Sequence, residues 1–145
     1  MSHKLLFLCT GNYYRSRFAE MLFNALVAEA GLNWRADSRG LAIGDDTIGP
    51  ISSYALQGLT ARGVTLDGAA ARYPQPVQEQ DLAAADWVIA LKEVEHRPYL
   101  EAQFPPWANQ VEYWHVHDLD FAPAGEALGQ IDRQVRALIE RLGQG

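Results

Sequence analysis

Residues 4–9 form a continuous apolar run of strand length, Leu5-Leu6-Phe7-Leu8 ending on Cys9, the pattern of a strand buried on both faces of a parallel sheet. Gly11 and Asn12 break it. From Ser16 onward Phe18, Met21, Leu22, Ala25, Leu26 and Ala30 recur at helical spacing, and Gly31 stands where a C-cap glycine belongs. Residues 33–38 alternate, with Trp34, Ala36 and Ser38 on one side and Arg35 and Asp37 on the other, as in a strand nearer a sheet edge. Residues 40–49 read as loop, and residues 50–62 as a short helix that starts at serines and ends before Gly63. Between residues 67 and 80, Pro74 and Pro76 predict irregular chain, with one helical turn before Ala84. Trp87-Val88-Ile89-Ala90-Leu91 is the third strand. Residues 92–104 are helical in pattern but interrupted or restarted at Pro98. Residues 111–116 give a fourth strand, and Leu128, Ile131, Val135, Leu138 and Leu142 form the stripe of a last helix.

Strands that alternate with helices through short connections imply right-handed crossovers. The predicted fold is α/β, a small doubly wound parallel sheet of four strands flanked by helices on both faces, one domain over residues 1–145. Ligands of such sheets bind at the carboxyl ends of the strands, near the topological switch point. Cys9 stands at one of those ends.

Composition narrows the chemistry. A chain of 145 residues with 48% hydrophobic and 21% charged residues suits an ordinary soluble domain. A net charge of −6 and a pI near 5.1 exclude a broad basic face, so neither nucleic acid nor an anionic membrane is an expected partner. Of the twelve basic residues all are arginine except Lys4 and Lys92, a bias toward the side chain that grips oxyanions bidentately. The sole cysteine, Cys9, can form neither an intramolecular disulfide nor a thiolate-rich zinc site, and it fits a reducing cytoplasm. The apolar run at residues 5–8 is too short for a signal-peptide core. No stretch approaches the ~20 apolar residues of a membrane helix.

The segment that carries chemistry is Cys9-Thr10-Gly11-Asn12-Tyr13-Tyr14-Arg15-Ser16. A loop between a strand end and a helix start can turn its backbone N–H groups inward as a nest for a tetrahedral oxyanion. Gly11 and Asn12 are residue types that accept the left-handed conformation of such a turn. The N–H dipoles and the Arg15 guanidinium would stabilise a Cys9 thiolate, and the same donors would hold the equatorial oxygens of a phosphoryl group under in-line attack. Ser16 is placed to hydrogen-bond the sulfur. A bare Cys and Arg at this spacing more often mean a buried thiol and a surface arginine. The preceding strand, the Gly-Asn pair, the Arg-Ser pair and the following helix shift the balance to function.

These residues resemble the low-molecular-weight protein tyrosine phosphatases. The resemblance extends through Ser38, Gly49-Pro50, Ala71-Arg72 and Ala85-Asp86. It implies a phosphocysteine intermediate on Cys9, phosphate held by Thr10, Gly11, Asn12, Tyr13, Tyr14, Arg15 and Ser16, no cofactor, no metal, and a monomer or weak dimer. It also implies a general acid from the loop after the fourth strand, where this chain has His117-Asp118-Leu119-Asp120-Phe121. Asp118 matches by spacing, with Asp120 as the alternative acid. Several positions depart from the family pattern. Tyr14 replaces a second loop cysteine, Arg17 a proline, Ala69 a histidine that braces the loop asparagine, Lys92 an acid after the third strand, and Leu119 the proline after the acid. No cleft aromatic stands near Asp45 and Asp46. Arg17 is expected as a cation near the entrance, with Asp120 and Phe121 in the substrate cleft, and Phe121 and Tyr13 remain to stack on an aryl ring.

His115 and His117 invite a metal reading, but His3 and His96 are isolated and no second cluster completes a site. The four tryptophans read as core and strand flanks. Three function classes remain. The first is a cytoplasmic phosphomonoesterase acting on a phosphorylated protein or a small phosphomonoester. The second is an arsenate reductase that borrows an external small thiol, because one cysteine cannot relay electrons. The third is a phosphocarrier or phosphate-binding protein, against which Arg15 and the late acids stand.

Overall fold

The computed structural model describes residues 3–44, 49–66, 68–116 and 124–144. Strands β1 (His3–Cys9), β2 (Trp34–Gly40), β3 (Trp87–Ala90) and β4 (Glu112–Tyr113) form a sheet of order β2-β1-β3-β4, every pair parallel. The expected four-stranded parallel sheet is therefore present. Helices α1 (Arg15–Ala30), α2 (Ser53–Ala61), α3 (Glu79–Ala84), α4 (Glu93–Gln103) and α5 (Ala124–Gln144) alternate with the strands.

The apolar run of β1 faces two ways. Leu5, Phe7 and Cys9 join a cluster with Phe18, Leu22 and Phe23 of α1 and Ile131, Val135 and Leu138 of α5. Leu6 and Leu8 join the opposite cluster with Leu82 of α3 and Leu100 of α4. Side chains alternate across a strand, so a run without polar positions serves a sheet covered on both faces. Phe7 and Phe18 are wholly buried; replacing such a ring by alanine typically costs about 3–5 kcal/mol.

The chain leaves β1 for β2 on one side and returns to β3 on the other, so the switch point falls between β1 and β3. Cys9 pairs with Gly40, and Leu8 with Ala90. The end of β1 is thereby flanked by both neighbours at the position where such sheets bind ligands. Gly40 permits a close approach there: a Cβ would lie 2.9 Å from the Thr10 carbonyl oxygen and 2.7 Å from Ile43 Cγ1.

Two elements differ from the sequence expectation. Helix α4 runs unbroken through Pro98. Proline removes one bond, to the Val94 carbonyl; Val94 is 80% exposed, while His96 and Leu100 anchor the inner side. The fourth strand pairs regularly at only two residues, because beyond Tyr113 the ladder gives way to single bonds from Trp114 N to the Ala90 carbonyl (2.8 Å) and from Val116 N to the Leu91 carbonyl (2.8 Å). Among the described residues, no helix is long and apolar enough to cross a membrane.

Candidate active site

The loop from Cys9 to Ser16 is shaped by what its carbonyls meet. Thr10 O accepts from Ala42 N (2.9 Å), Tyr13 O from Ser52 N (2.9 Å) and Tyr14 O from Phe18 N (3.1 Å). A planar peptide whose carbonyl is tied outward turns its N–H the other way, which orients the amides of Gly11, Tyr14 and Arg15. Asn12 is the one non-glycine with positive φ among the described residues, 52°, and it takes the left-handed conformation the turn needs. Gly11 stays out of that region, so of the two residue types that accept it only Asn12 takes it. Helix α1 begins at Arg15 with no side-chain N-cap and no acid in its first turn. Its positive end is left for an anion.

Cys9 is 2% exposed. Its Sγ lies 2.9 Å from Ser16 Oγ and accepts from the Asn12 backbone N–H at 3.3 Å. The Asn12 side chain is held on all sides. Its Nδ2 donates to Ser16 Oγ and Ser38 Oγ, each at 2.9 Å, while Oδ1 accepts from Gln75 N (3.0 Å) and Arg72 Nη1 (3.2 Å). In this chain Arg72 thus braces the loop asparagine.

Behind Asn12 lies a buried ionic cluster that the sequence did not reveal. Glu20 Oε1 accepts from Ser38 Oγ (2.6 Å) and from Arg72 Nη2 (3.2 Å), and stands 3.7 Å from Arg17 Nε. Arg17, expected at the entrance, is 0% exposed, and its Nη1 donates to the Arg72 carbonyl at 2.9 Å. The physical reason is helical rotation: the residue after Ser16 turns back under the loop, where Glu20 one turn on supplies the counter-charge. Burial lowers the Arg17 pKa from its ordinary value, an effect that Glu20 opposes and Arg72 reinforces.

Arg15 is 3% exposed and forks onto Glu95 in the first turn of α4. Nη2 donates to Oε2 at 2.7 Å and Nη1 to Oε1 at 3.4 Å. Thr10 Oγ1 also donates to Glu95 Oε2. Burial works to raise the Glu95 pKa, but contacts with His96, Arg15 and Thr10 overcome it and hold the carboxyl well below the usual carboxylate range. Sequence reasoning missed Glu95. The available signal was an acid in the first turn of the helix that follows the strand beside β1.

Thr10, Gly11 and Tyr13 are half-buried around the loop, and Tyr14 is buried. Asp118, Asp120, Phe121 and His117 lie outside the described residues, as do Asp45 and Asp46. His115 is exposed, and the described residues contain no cluster of three or more His, Cys, Asp or Glu fit to hold a metal. Of the tryptophans, Trp114 is core and packs on Phe7 at 5.7 Å between ring centroids, and Trp34 and Trp87 flank it.

A family model described as low molecular weight phosphotyrosine protein phosphatase matches residues 4–143. The protein-arginine-phosphatase of Bacillus subtilis is 28% identical over 107 residues, 74% of this chain and 67% of the relative. The low molecular weight protein-tyrosine-phosphatase YfkJ of the same bacterium is 38% identical over 88 residues, 60% of this chain, and the match spans little more than half of that relative, 54%. Among solved structures, the low molecular weight protein tyrosine phosphatase from T. tengcongensis has a TM-score of 0.81 at 28% identity and covers 97% of this chain and 99% of its own. Loop, switch point and family match agree, and the chain belongs to the low molecular weight phosphotyrosine protein phosphatase family.

Proposed function

We propose that this chain is a cysteine-dependent phosphomonoester hydrolase of the protein tyrosine phosphatase type. The observation that carries the reading is the Cys9 sulfur held at 2.9 Å by Ser16 and at 3.3 Å by the Asn12 amide, at a strand end that opens onto a helix N-terminus. In the first step Cys9 Sγ attacks phosphorus, the P–O bond of the ester breaks, and the leaving oxygen takes a proton from Asp118. Amides of the loop and Arg15 hold the equatorial oxygens. In the second step Asp118 takes a proton from water, the water oxygen attacks phosphorus, and the S–P bond breaks with Ser16 Oγ hydrogen-bonding the departing thiolate. Val116 N donates to the carbonyl of Leu91, just past β3, so the segment that carries Asp118 starts from the same end of the sheet as the loop, which supports the assignment.

Relatives named as tyrosine and as arginine phosphatases support a phosphorylated protein or a small phosphomonoester as the substrate. The reaction suits a monomer or weak dimer in the cytoplasm, where Cys9 stays reduced, and it needs no cofactor. With p-nitrophenyl phosphate the protein is expected to give a burst of about one equivalent of p-nitrophenolate per chain. Steady hydrolysis without trappable phosphocysteine would overturn the reading, and phosphocysteine that forms without release of phosphate would favour a carrier. A panel of phosphotyrosine and phosphoarginine peptides, and arsenate with small thiols, sets the substrate class.

Asp118→Asn is expected to slow turnover of phenyl phosphate by about 10²–10⁴-fold, and that of p-nitrophenyl phosphate far less, because a good leaving group needs little proton assistance. If Asp120→Asn shows this pattern instead, the acid is Asp120.

A further inference from the structure

One carboxylate outside the loop touches it at two residues. Glu95 Oε2 accepts from Arg15 Nη2 at 2.7 Å and from Thr10 Oγ1, while Oε1 lies 3.4 Å from Arg15 Nη1. It thereby joins Thr10, the residue next to Cys9, to the arginine five positions on. A buried histidine lies against the carboxylate. His96, 0% exposed, places Nε2 at 3.1 Å from Glu95 Oε2, and its Nδ1 accepts from Lys92 N at 3.0 Å. A ring whose Nδ1 accepts a backbone N–H carries its proton on Nε2, the nitrogen that faces Glu95.

We propose that Glu95 is a positioning residue for phosphoryl transfer, which fixes the plane of the Arg15 fork and the Thr10 hydroxyl from the neighbouring helix, with His96 packed against it. The inference rests on the phosphatase reading and names what aligns its arginine. An arginine side chain is rich in rotamers, and a guanidinium held through both Nη atoms cannot swing about its last torsion. Transition-state stabilisation depends on donors aimed where charge develops, so a misaligned fork lowers turnover more than it lowers ground-state binding. The charge of Glu95 acts in the opposite sense on binding. A carboxylate beside the arginine repels an incoming phosphate dianion, so its removal leaves ground-state attraction intact or strengthened.

Glu95→Gln keeps the size and removes the charge and one acceptor; Glu95→Asp keeps the charge and withdraws it by one methylene. Both are compared with the wild type for the phenolate burst, for kcat and KM with p-nitrophenyl phosphate, and for inorganic phosphate affinity by calorimetry. The expected result is kcat about 10–100-fold lower in both variants, with phosphate affinity of Glu95→Gln unchanged or tighter. A residue needed only for folding would lose phosphate affinity in step with kcat, and that result overturns the proposal. So does a kcat within about twofold of the wild type. Hydrolysis by the wild type without trappable phosphocysteine overturns the phosphatase reading itself, so the two failures are distinct.

Discussion

Cys9→Ser is expected to hydrolyse p-nitrophenyl phosphate at least about 10⁴-fold more slowly than the wild type and still to bind inorganic phosphate. A neutral serine hydroxyl is a poor nucleophile, and the groups hydrogen-bonded to Sγ, the Ser16 hydroxyl and the Asn12 backbone N–H, offer no strong base to it. The same donors remain in the variant, so the oxyanion site survives. Rate and binding should part completely, with turnover at background and phosphate still detected by calorimetry. Activity within tenfold of the wild type would remove Cys9 as the nucleophile and with it the phosphocysteine mechanism.

Glu20→Ala is expected to destabilise the fold by about 3–5 kcal/mol, the range seen when one partner of a buried ion pair is removed. Glu20 is 5% exposed and Arg17 0%. The carboxylate also takes a bond from Arg72 and one from Ser38. Without it two guanidinium groups approach each other with less compensation, and burial already disfavours the charge on Arg17. For a chain of 145 residues the loss corresponds to a melting temperature lower by roughly 6–20 °C. A shift within about 2 °C would mean that the cluster is hydrated or rearranges, in conflict with its burial. The effect reaches the site, because Arg72 and Ser38 hold the Asn12 side chain.

Much of this was legible in the sequence. The uninterrupted apolar run of β1 and the helical stripe of α1 lie in segments where one periodicity dominates. The loop between them has residue types with few other uses in that order. What escaped was of two kinds. Arg17 looks exposed because it is charged and follows the loop, whereas its burial depends on Arg72, 55 residues away along the chain. Glu95 meets Arg15 across 80 residues, a pairing that no local pattern encodes. Pro98 misleads for another reason: propensity marks it as a break, and packing of His96 and Leu100 overrides the single lost bond.

The four-way hold on Asn12 bears on the thermodynamics of ligand capture. A loop that adopted its shape only around phosphate would give up backbone entropy at the moment of binding, about 1–2 kcal/mol per residue fixed. The left-handed residue of this loop is instead locked by the protein's own groups, Ser16, Ser38, Arg72 and Gln75. That ordering is settled during folding and falls on the stability of the whole chain. Encounter with a phosphorylated side chain then resembles the docking of two rigid shapes, fast and with a small change in heat capacity.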